Sequence, residues 1–386
     1  MKILIIAYHF YPDVTPRAFR AFELTKQFVR EGYSVKVLLP RSDYDYAKVC
    51  KKYNFSVDFV DYRKTSDSTS DVANTTNFWL KALLRKLFKK IFYCVFPSGR
   101  NTKFYFYYLY KKLIDHNEYQ DMIISIATPY DTHIGTAMAI NKNKYLRDTA
   151  TKIAEYGDPL YKNPALPNCP FYFWIDKFIA SKFDIITIPT EKALSIYTNF
   201  KKKENIKIIS QGFDFNEIKI TKYKINDVPT FAYAGLFYET IRNPKPLMDF
   251  LLKLHGDDID FVFIVYTQIN NFNNMKLLNK YKNILGEKLV INHVIPREDV
   301  IYELSKMDFL INLENISSSQ VPSKLIDYSL TKRPIYSFSQ EDFSEVIFQQ
   351  FLNKNYSKKN EINIDNFNIE NICKQFIQLM KLDNRK

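Results

Sequence analysis

A lysine and an aspartate near the start of a short helix show the clearest potential for chemistry in this sequence. A buried strand is predicted at 309–313, and after a polar loop a helix opens at Pro322, where proline is favoured at the first helical position. The backbone N–H groups of Ser323 and Lys324 then point out of the positive helix end, where anions bind. Asp327 lies three residues after Lys324, on the same side of the helix. This set suits a nucleotide diphosphate whose ribose hydroxyls donate to the carboxylate; an ordinary helix with one surface ion pair is the alternative.

Further polar side chains closely follow the strands predicted at 2–8, 121–127 and 151–156. They are Asp13, Thr15, Arg17, Thr128, Tyr130, His133 and Asp158. Because ligands bind at the carboxyl ends of the strands in open α/β sheets, we expect these residues to face one cleft. The first loop contains no glycine, whereas a dinucleotide-binding unit carries G-x-G-x-x-G at this point. A dinucleotide cradle is therefore not predicted.

Two successive series of alternating strands and helices must position these residues. Strands are predicted at 2–8, 34–39, 55–62, 121–127, 151–156, 184–189 and 206–209, and then at 230–234, 260–266, 289–292, 309–313 and 334–338. This pattern predicts an α/β protein with two doubly wound Rossmann-like domains facing a central cleft. We expect the first domain at 1–212, the second at 213–365 and a C-terminal helix at 366–386.

An insertion at 78–112 separates the third and fourth predicted strands and is rich in basic and aromatic residues. Its helical segment at 78–96 places leucines and other apolar residues on one half of the helical wheel and basic residues on the other. The tryptophan and the basic residues are Trp79, Lys81, Arg85, Lys86, Lys89 and Lys90. A basic amphipathic helix with aromatic residues is typical of an anionic membrane surface. A core-packed helix with a solvated basic face is the alternative, and no recognised nucleic-acid module accompanies the charge.

The composition is that of a folded protein with an excess of positive charge. The 386 residues are 46% hydrophobic and carry a formal charge of +13, which indicates an anionic partner. No apolar run reaches the roughly 20 residues of a spanning helix, and the N-terminal apolar run is too short for a signal peptide. The cysteines and histidines show no metal-ligand spacing, and we interpret Asp43-Tyr44-Asp45 as incidental. These features predict a cytoplasmic protein, peripheral on the inner face of the membrane, with no metal and no cofactor.

Several motifs resemble GT-B glycosyltransferases of family four. Residues 321–328, V-P-S-K-L-I-D-Y, followed by K-R-P-I, resemble that family's V-P-x-K-L-x-E-Y … G-x-P-I segment. The family signature is a pair of glutamates separated by seven residues; Asp327 stands at the second position and Ser319 at the first. Residues 233–247 and 293–296 resemble the family's Y-A-G-x-L … R-x-P-x-x-L and F-x-G-x-V-P segments.

The resemblance implies a metal-independent, retaining transfer of a sugar from a nucleotide-sugar to a lipid-linked or oligosaccharide acceptor in surface polysaccharide synthesis. Arg242 and Lys324 would hold the donor diphosphate, while His133 and Asp158 would orient the acceptor or stabilise the charged sugar. The remaining donor contacts implied are Gly235, Phe237, His293, Val294, Ser323, Leu325 and Asp327. The resemblance also implies that the C-terminal helix crosses back onto the first domain.

Two other functions fit the same sequence. A nucleotide-sugar epimerase or an inverting transferase would use the same architecture, and product stereochemistry distinguishes them from a retaining transferase. A non-catalytic basic module would instead bind nucleic acid with strong salt dependence, a partner that the resemblance does not imply.

Overall fold

The computed structural model describes residues 1–13, 15–63, 102, 104–163, 166–216, 218–237, 243–314 and 323–383. The chain divides into two compact units. Unit 1 contains Met1–Phe213 together with Asn368–Lys386, and unit 2 contains Asp214–Phe367.

Unit 1 is built on a parallel sheet in the order β3-β2-β1-β4-β5-β6-β7. Its strands are β1 Lys2–Ile6, β2 Ser34–Arg41, β3 Ser56–Arg63, β4 Met122–Ile126, β5 Thr151–Glu155, β6 Ile185–Ile188 and β7 Ile206–Ile208. Its helices before the chain enters unit 2 are α1 Pro16–Arg30, α2 Ala47–Tyr53, α3 Tyr105–Ile114, α4 Asp131–Ile140, α5 Lys144–Arg147, α6 Phe171–Lys182 and α7 Leu194–Tyr197. Continuous apolar runs such as K-I-L-I-I form these strands because both faces of the sheet are covered.

Unit 2 repeats the design with a parallel sheet in the order β10-β9-β8-β11-β12. Its strands are β8 Thr230–Ala234, β9 Val262–Thr267, β10 Leu289–His293, β11 Phe309–Leu313 and β12 Ile335–Phe338. Its helices are α8 Lys245–Gly256, α9 Phe272–Leu285, α10 Arg297–Leu304, α11 Ser323–Leu330 and α12 Glu345–Leu352. The predicted fold class of two doubly wound α/β halves is therefore confirmed, and each predicted strand is present with its ends within two residues.

Helices cover the two faces of the unit 1 sheet as separate layers. Ile3 and Ile5 of β1 belong to the same core as α1 and the C-terminal helix α13, Ile369–Asp383. Leu4 and Ile6 point to the opposite core, which α3, α4 and α6 cover. This alternation is the period-two pattern of a strand that is buried on both sides.

Arg20 of α1 ties several elements of unit 1 together from a fully buried position. Its Nε donates to Glu155 Oε1 of β5 at 3.0 Å, and its Nη1 donates to the carbonyl oxygen of Ser210 at 2.7 Å. The guanidinium also lies 5.3 Å from the ring centroid of Phe376 in α13. Because the charge is buried, the loss of its hydrogen bonds or of its ion pair would strongly destabilise unit 1.

We expect Arg20→Met to lower the free energy of unfolding of unit 1 by about 3–5 kcal/mol, because it removes one of the two arginines that pair with buried Glu155 and takes the arginine donor from two carbonyl groups. Urea denaturation followed by tryptophan fluorescence measures this, since both tryptophans, Trp79 and Trp174, belong to unit 1.

The matched control is Arg41→Met, which removes an arginine from the exposed Arg41–Asp61 pair at 3.3 Å. Exposed pairs contribute about 0–1 kcal/mol, so this variant should resemble the wild type. Equal losses in the two variants would contradict the bracing role of Arg20.

Candidate functional site

The unit 2 sheet has a topological switch point between β8 and β11. From β8 the chain proceeds to β9 and β10 on one side, and it later crosses to β11 and β12 on the other. In open α/β sheets, ligands bind at such a point, outside the carboxyl ends of the strands. Gly235 follows β8 directly at this edge, and α11 is the helix that follows β11.

Lys324 of α11 lies at this switch point, against the backbone that follows β8. Its Nζ donates to the Tyr233 hydroxyl at 3.1 Å and lies 4.5 Å from the centroid of the Tyr233 ring. A Cβ atom added to Gly235 would lie only 1.7 Å from Nζ, and Gly235 has a φ of +143° that other residues rarely adopt. Glycine is thus required here for two reasons, and its absent side chain provides the space that the ammonium occupies.

The support beneath Lys324 is a pair of stacked rings. Tyr233 and Phe237 stack with centroids 4.4 Å apart, and the Tyr233 hydroxyl donates to the carbonyl oxygen of Leu236 at 2.9 Å. Phe237 is buried, and its N–H donates to Asn274 Oδ1 at 3.0 Å. Stacking and burial make the Phe237 side chain a support for Tyr233, and the contact of this residue with a nucleotide-sugar stays a prediction.

The side chain of Leu325 is likewise a support, and the donor contact expected of this residue stays a prediction. Its side chain is buried in the core that contains Tyr328, Ala232 and Leu310. It anchors α11 to the sheet. The Tyr328 hydroxyl, from the same helix, accepts a hydrogen bond from the N–H of Ala234 at 2.8 Å.

Asp327 is held by an arginine that the sequence motif did not indicate. Arg297, the first residue of α10, directs its Nε to Asp327 Oδ1 at 2.9 Å and makes a second contact to the same oxygen. Within the described parts of the chain, Oδ2 accepts no hydrogen bond. Burial raises the pKa of Asp327, and the Arg297 charge opposes that shift. The carboxylate is thereby oriented, with one oxygen left for a hydroxyl donor.

Of the other residues expected to bind the nucleotide-sugar donor, the structure describes some and not others. His293 ends β10 in an exposed position, with Nδ1 2.9 Å from the carbonyl oxygen of the equally exposed Val294. Ser323 begins α11. Its side chain and the whole of Arg242 lie outside the described residues.

Unit 1 has its own switch point, between β1 and β4, and an arginine pair lies at its carboxyl edge. Arg17 donates to Glu155 Oε2 at 3.0 Å, so Glu155 pairs with both Arg17 and Arg20. A Cβ atom added to Gly157 would lie 2.9 Å from the Arg17 guanidinium carbon. The guanidinium therefore lies directly on the loop that follows β5 and carries Asp158.

Buried groups hold this loop, residues 157–163, from below. The Tyr130 hydroxyl donates to the carbonyl oxygen of Pro159 at 2.9 Å and accepts from Asn163 Nδ2 at 3.1 Å. Asp176 of α6 accepts from the N–H of Tyr161 at 2.8 Å and from the Tyr156 hydroxyl at 3.2 Å. Tyr130 is buried by these contacts, which makes it a brace for the loop rather than the exposed acceptor contact that we expected.

Four of the residues expected near an acceptor are accessible at this edge. Asp158 is exposed, and Thr128 is half-buried. Asp13 pairs with His9, whose Nδ1 lies 3.2 Å from Asp13 Oδ2. Thr15 is the N-cap of α1 and accepts from the N–H of Ala18 at 3.2 Å.

His133 is not at the surface of this edge. The helix α4 begins at Asp131, so position 133 lies in its first turn and its side chain is fully buried. Nδ1 lies 2.8 Å from Ser125 Oγ, and the ring packs against Tyr156 at 4.4 Å. Burial lowers the pKa of His133 to about 3. The expected catalytic role is therefore wrong, because the ring is neutral and reaches no solvent.

The basic segment expected at a membrane, from Trp79 to Lys90, lies outside the described residues. Among the helices that are described, none has the length and apolar character needed to cross a bilayer. The described part of the chain also contains no group of three or more histidine, cysteine, aspartate or glutamate residues placed to hold a metal ion.

Sequence reasoning missed three residues that define the two sites. Glu155 was hidden at the end of an apolar strand, although Arg17 and Arg20 repeat at the spacing of one helical face. Arg297 follows directly after the H-V-I-P turn. Tyr233 was part of a recognised motif, but the sequence does not indicate that its ring supports an ammonium.

Comparison with solved structures identifies the fold. No protein-family model and no curated protein sequence matches the chain. It is similar to Anabaena HepE in complex with UDP-glucose (11% identity, TM-score 0.55, covering 99% of this chain and 100% of that one). It is also similar to the lipopolysaccharide outer core galactosyltransferase WaaB (13%, 0.57, 99% and 99%) and to a TarM variant of S. aureus in complex with fondaparinux, α-GlcNAc-glycerol and UDP (11%, 0.54, 98% and 99%). The chain thus has the GT-B fold that its motifs suggested.

We expect unit 1 to become less stable as the pH rises, because Asp176 is protonated in the folded state. Burial raises the pKa of Asp176 to about 7, so the folded state keeps a proton that the unfolded chain releases near its ordinary pKa of about 4. The free energy of unfolding should therefore fall by up to about 4 kcal/mol as the pH rises from about 4 to about 7.

Asp176→Asn keeps an acceptor oxygen for the Tyr161 N–H and cannot ionise. Urea denaturation at pH 5 and pH 8 should show that the stability of this variant relative to wild type increases with pH. Parallel pH profiles would mean that Asp176 is already ionised in the folded protein.

Proposed function

We propose that this protein is a glycosyltransferase that moves a sugar from a UDP-sugar to a glycan acceptor during the synthesis of a surface polysaccharide. The observation that carries the proposal is the Lys324 ammonium lying against Gly235 at the switch point of unit 2. The presence of UDP-glucose in HepE and of UDP in TarM, both of similar fold, supports a uridine diphosphate donor.

Lys324 provides positive charge where the leaving group becomes negative. When the bond between the sugar C1 and the diphosphate breaks, its electron pair stays on the phosphate oxygen. A preorganised cation stabilises that charge without having to reorganise during the reaction. The backbone N–H groups at the start of α11 act in the same direction. Arg242 is the second cation that we propose for this task.

Asp327 and the turn after β10 bind the nucleoside part of the donor. Oδ2 of Asp327 accepts from a ribose hydroxyl, and Arg297 fixes the carboxylate through Oδ1. The backbone of His293 and Val294 meets the uracil edge, since His293 ends β10 and Val294 follows it, at the same carboxyl edge as Gly235. This division gives Lys324 a role in the reaction and Asp327 a role in binding.

The acceptor binds at the carboxyl edge of unit 1, where Asp158, Thr128, Asp13 and Thr15 are accessible. The acceptor oxygen forms its bond to C1 on the face from which the diphosphate leaves, so the configuration is retained. Its proton passes to the departing phosphate oxygen, which balances the reaction without a metal ion. Asp158 orients the acceptor, while the Arg17 guanidinium fixes the position of its loop.

The acceptor is lipid-linked, and the protein works at the cytoplasmic face of an anionic membrane. The basic residues of the segment from Lys81 to Lys90 support this location, since each lysine or arginine near such a surface contributes about 1 kcal/mol. Nucleic acid is not a partner in this proposal.

Thermal unfolding with added nucleotides tests the proposed donor. UDP at 100 times its dissociation constant should stabilise the protein by about 2.7 kcal/mol, and the stabilisation should persist in EDTA. Gly235→Ala should abolish this shift because the new Cβ displaces the ammonium. Lys324→Met should do the same without straining the backbone.

The matched control is Gly256→Ala, at the end of α8, where an added Cβ meets nothing within 4 Å. It should keep the full nucleotide shift. A protein that no nucleoside diphosphate stabilises, or one that needs Mg²⁺ or Mn²⁺ to bind UDP, would contradict the proposal.

Steady-state kinetics separates the roles of the two α11 residues. Lys324→Ala should lower kcat by about 10²- to 10³-fold, because its contact strengthens in the transition state. Asp327→Asn should mainly raise the donor KM, by about ten- to a hundredfold, since a ribose contact is equal in the ground and transition states.

Lys253→Ala is the control for the loss of a lysine, since Lys253 forms an exposed pair with Glu345 at 2.9 Å. Its kinetic constants should match the wild type. If Lys324→Ala is silent while Asp327→Asn abolishes turnover at saturating donor, the two roles have been assigned wrongly.

A further inference from the structure

The outward face of α6 exposes three large aromatic side chains in one stripe. Phe171, Trp174 and Phe178 are 66%, 62% and 36% exposed, and their spacing of three and four residues places them on the same side of the helix. Single exposed apolar residues are normal on a protein surface. A row of three exposed rings on one helix face is a larger apolar surface, and large exposed apolar patches mark interaction sites.

Within α6, lysines lie beside this aromatic stripe and carboxylates do not. Lys177 Nζ lies 5.3 Å from the Trp174 ring centroid, and Lys182 Nζ lies 5.8 Å from that of Phe178. The only acid of α6, Asp176, is completely buried on the opposite side of the helix, where it holds the loop 157–163. The outward face of α6 is therefore apolar and positive.

The same character continues in the helical layer to which α6 belongs. The helix α4 packs between α3 and α6 on one face of the sheet. On α3, Tyr107 and Tyr108 are exposed, and Lys111 Nζ lies 4.7 Å from the Tyr107 ring centroid. The acids of α3, α4 and α6 are Asp131 and Asp176, and both are buried.

We propose that the aromatic stripe Phe171, Trp174 and Phe178, with Lys177 and Lys182, docks unit 1 on the surface of an anionic lipid bilayer. Tryptophan and other aromatic rings favour the interface between lipid headgroups and acyl chains, where a polar tip stays wet. Lysines beside them pair with anionic headgroups and keep their charge in water. A second copy of this chain fits less well, because a two-fold contact would bring the lysines of both copies together.

Docking by α6 does not depend on which reaction the protein catalyses, and it involves different residues from the basic segment at 79–90. The chain has two tryptophans, so α6 and the segment at 79–90 can be followed separately. In Trp79→Phe, Trp174 is the only tryptophan, and in Trp174→Phe only Trp79 remains.

The experiment measures Trp174 fluorescence of full-length Trp79→Phe with vesicles of phosphatidylcholine and phosphatidylglycerol. Emission should shift to the blue and be quenched by brominated lipid, and vesicles of phosphatidylcholine alone should give little change. In this background, Lys177→Gln and Lys182→Gln should weaken binding roughly fivefold each, the equivalent of about 1 kcal/mol.

Flotation of the otherwise wild-type chain tests the rings themselves. The triple change Phe171→Ala, Trp174→Ala and Phe178→Ala should reduce vesicle binding at least about a hundredfold, since the loss of three buried rings removes more than about 3 kcal/mol. The control is Phe272→Ala, which removes a 76% exposed phenylalanine from unit 2 and should bind as the wild type does.

Three results would overturn the proposal. One is vesicle binding that leaves Trp174 emission unchanged in Trp79→Phe, while brominated lipid quenches Trp79 in Trp174→Phe. This result would assign docking to the segment at 79–90. Another is a blue shift of Trp174 that depends on protein concentration without vesicles, which assigns the surface to a second copy. The third is a failure of the wild-type chain to float with anionic vesicles.

Discussion

In a sheet whose strands all run parallel, every connection from a strand begins at the same edge, and both units of this protein depend on that constraint. In unit 2 it brings the backbone after β8 beside the helix that follows β11, although Gly235 and Lys324 are far apart in sequence. The ammonium then has a defined position only because position 235 lacks a side chain and Tyr233 provides a ring and a hydroxyl beneath it. A cation over a partly desolvated ring is stabilised by about 0.5–2 kcal/mol, enough to favour one rotamer of a flexible lysine.

The same constraint explains which features could be predicted from the sequence. Strands buried on both faces are continuous apolar runs, so the strands of both sheets could be located, and their alternation with helices indicated parallel sheets. Position after a strand also predicted correctly that Asp158 and Lys324 lie at carboxyl edges. It failed for His133, because the outcome there depended on where α4 begins. A start at Asp131 turns position 133 toward the sheet, and no local pattern in D-T-H-I-G-T-A-M-A-I indicates that rotation.

The sequence also could not predict which side chains pair with residues far away along the chain. Asp327 was predicted from its spacing to Lys324, but its partner Arg297 lies 30 residues earlier, and Glu155 pairs with Arg20 over a separation of 135 residues. Such pairs follow from tertiary packing, which no periodicity in one segment describes. They still decide the electrostatics of each site. Glu155 neutralises one of the two arginines beside it, so the loop with Asp158 lies against a net positive charge.

Helix α6 combines two of these features in one rigid element. Its inward face carries Asp176, which accepts from the Tyr161 N–H and the Tyr156 hydroxyl and so fixes the loop on which Asp158 lies. Its outward face carries Phe171, Trp174 and Phe178. Because a helix of 12 residues moves as one body, any contact that fixes the outward face also limits the motion of Asp176. Replacing an exposed ring on this helix removes only a surface contact, whereas replacing Asp176 changes the loop itself. The outward face of α6 is therefore the proposed docking surface, and its inward face sets the conformation of the loop that carries Asp158. A single helix serves both roles.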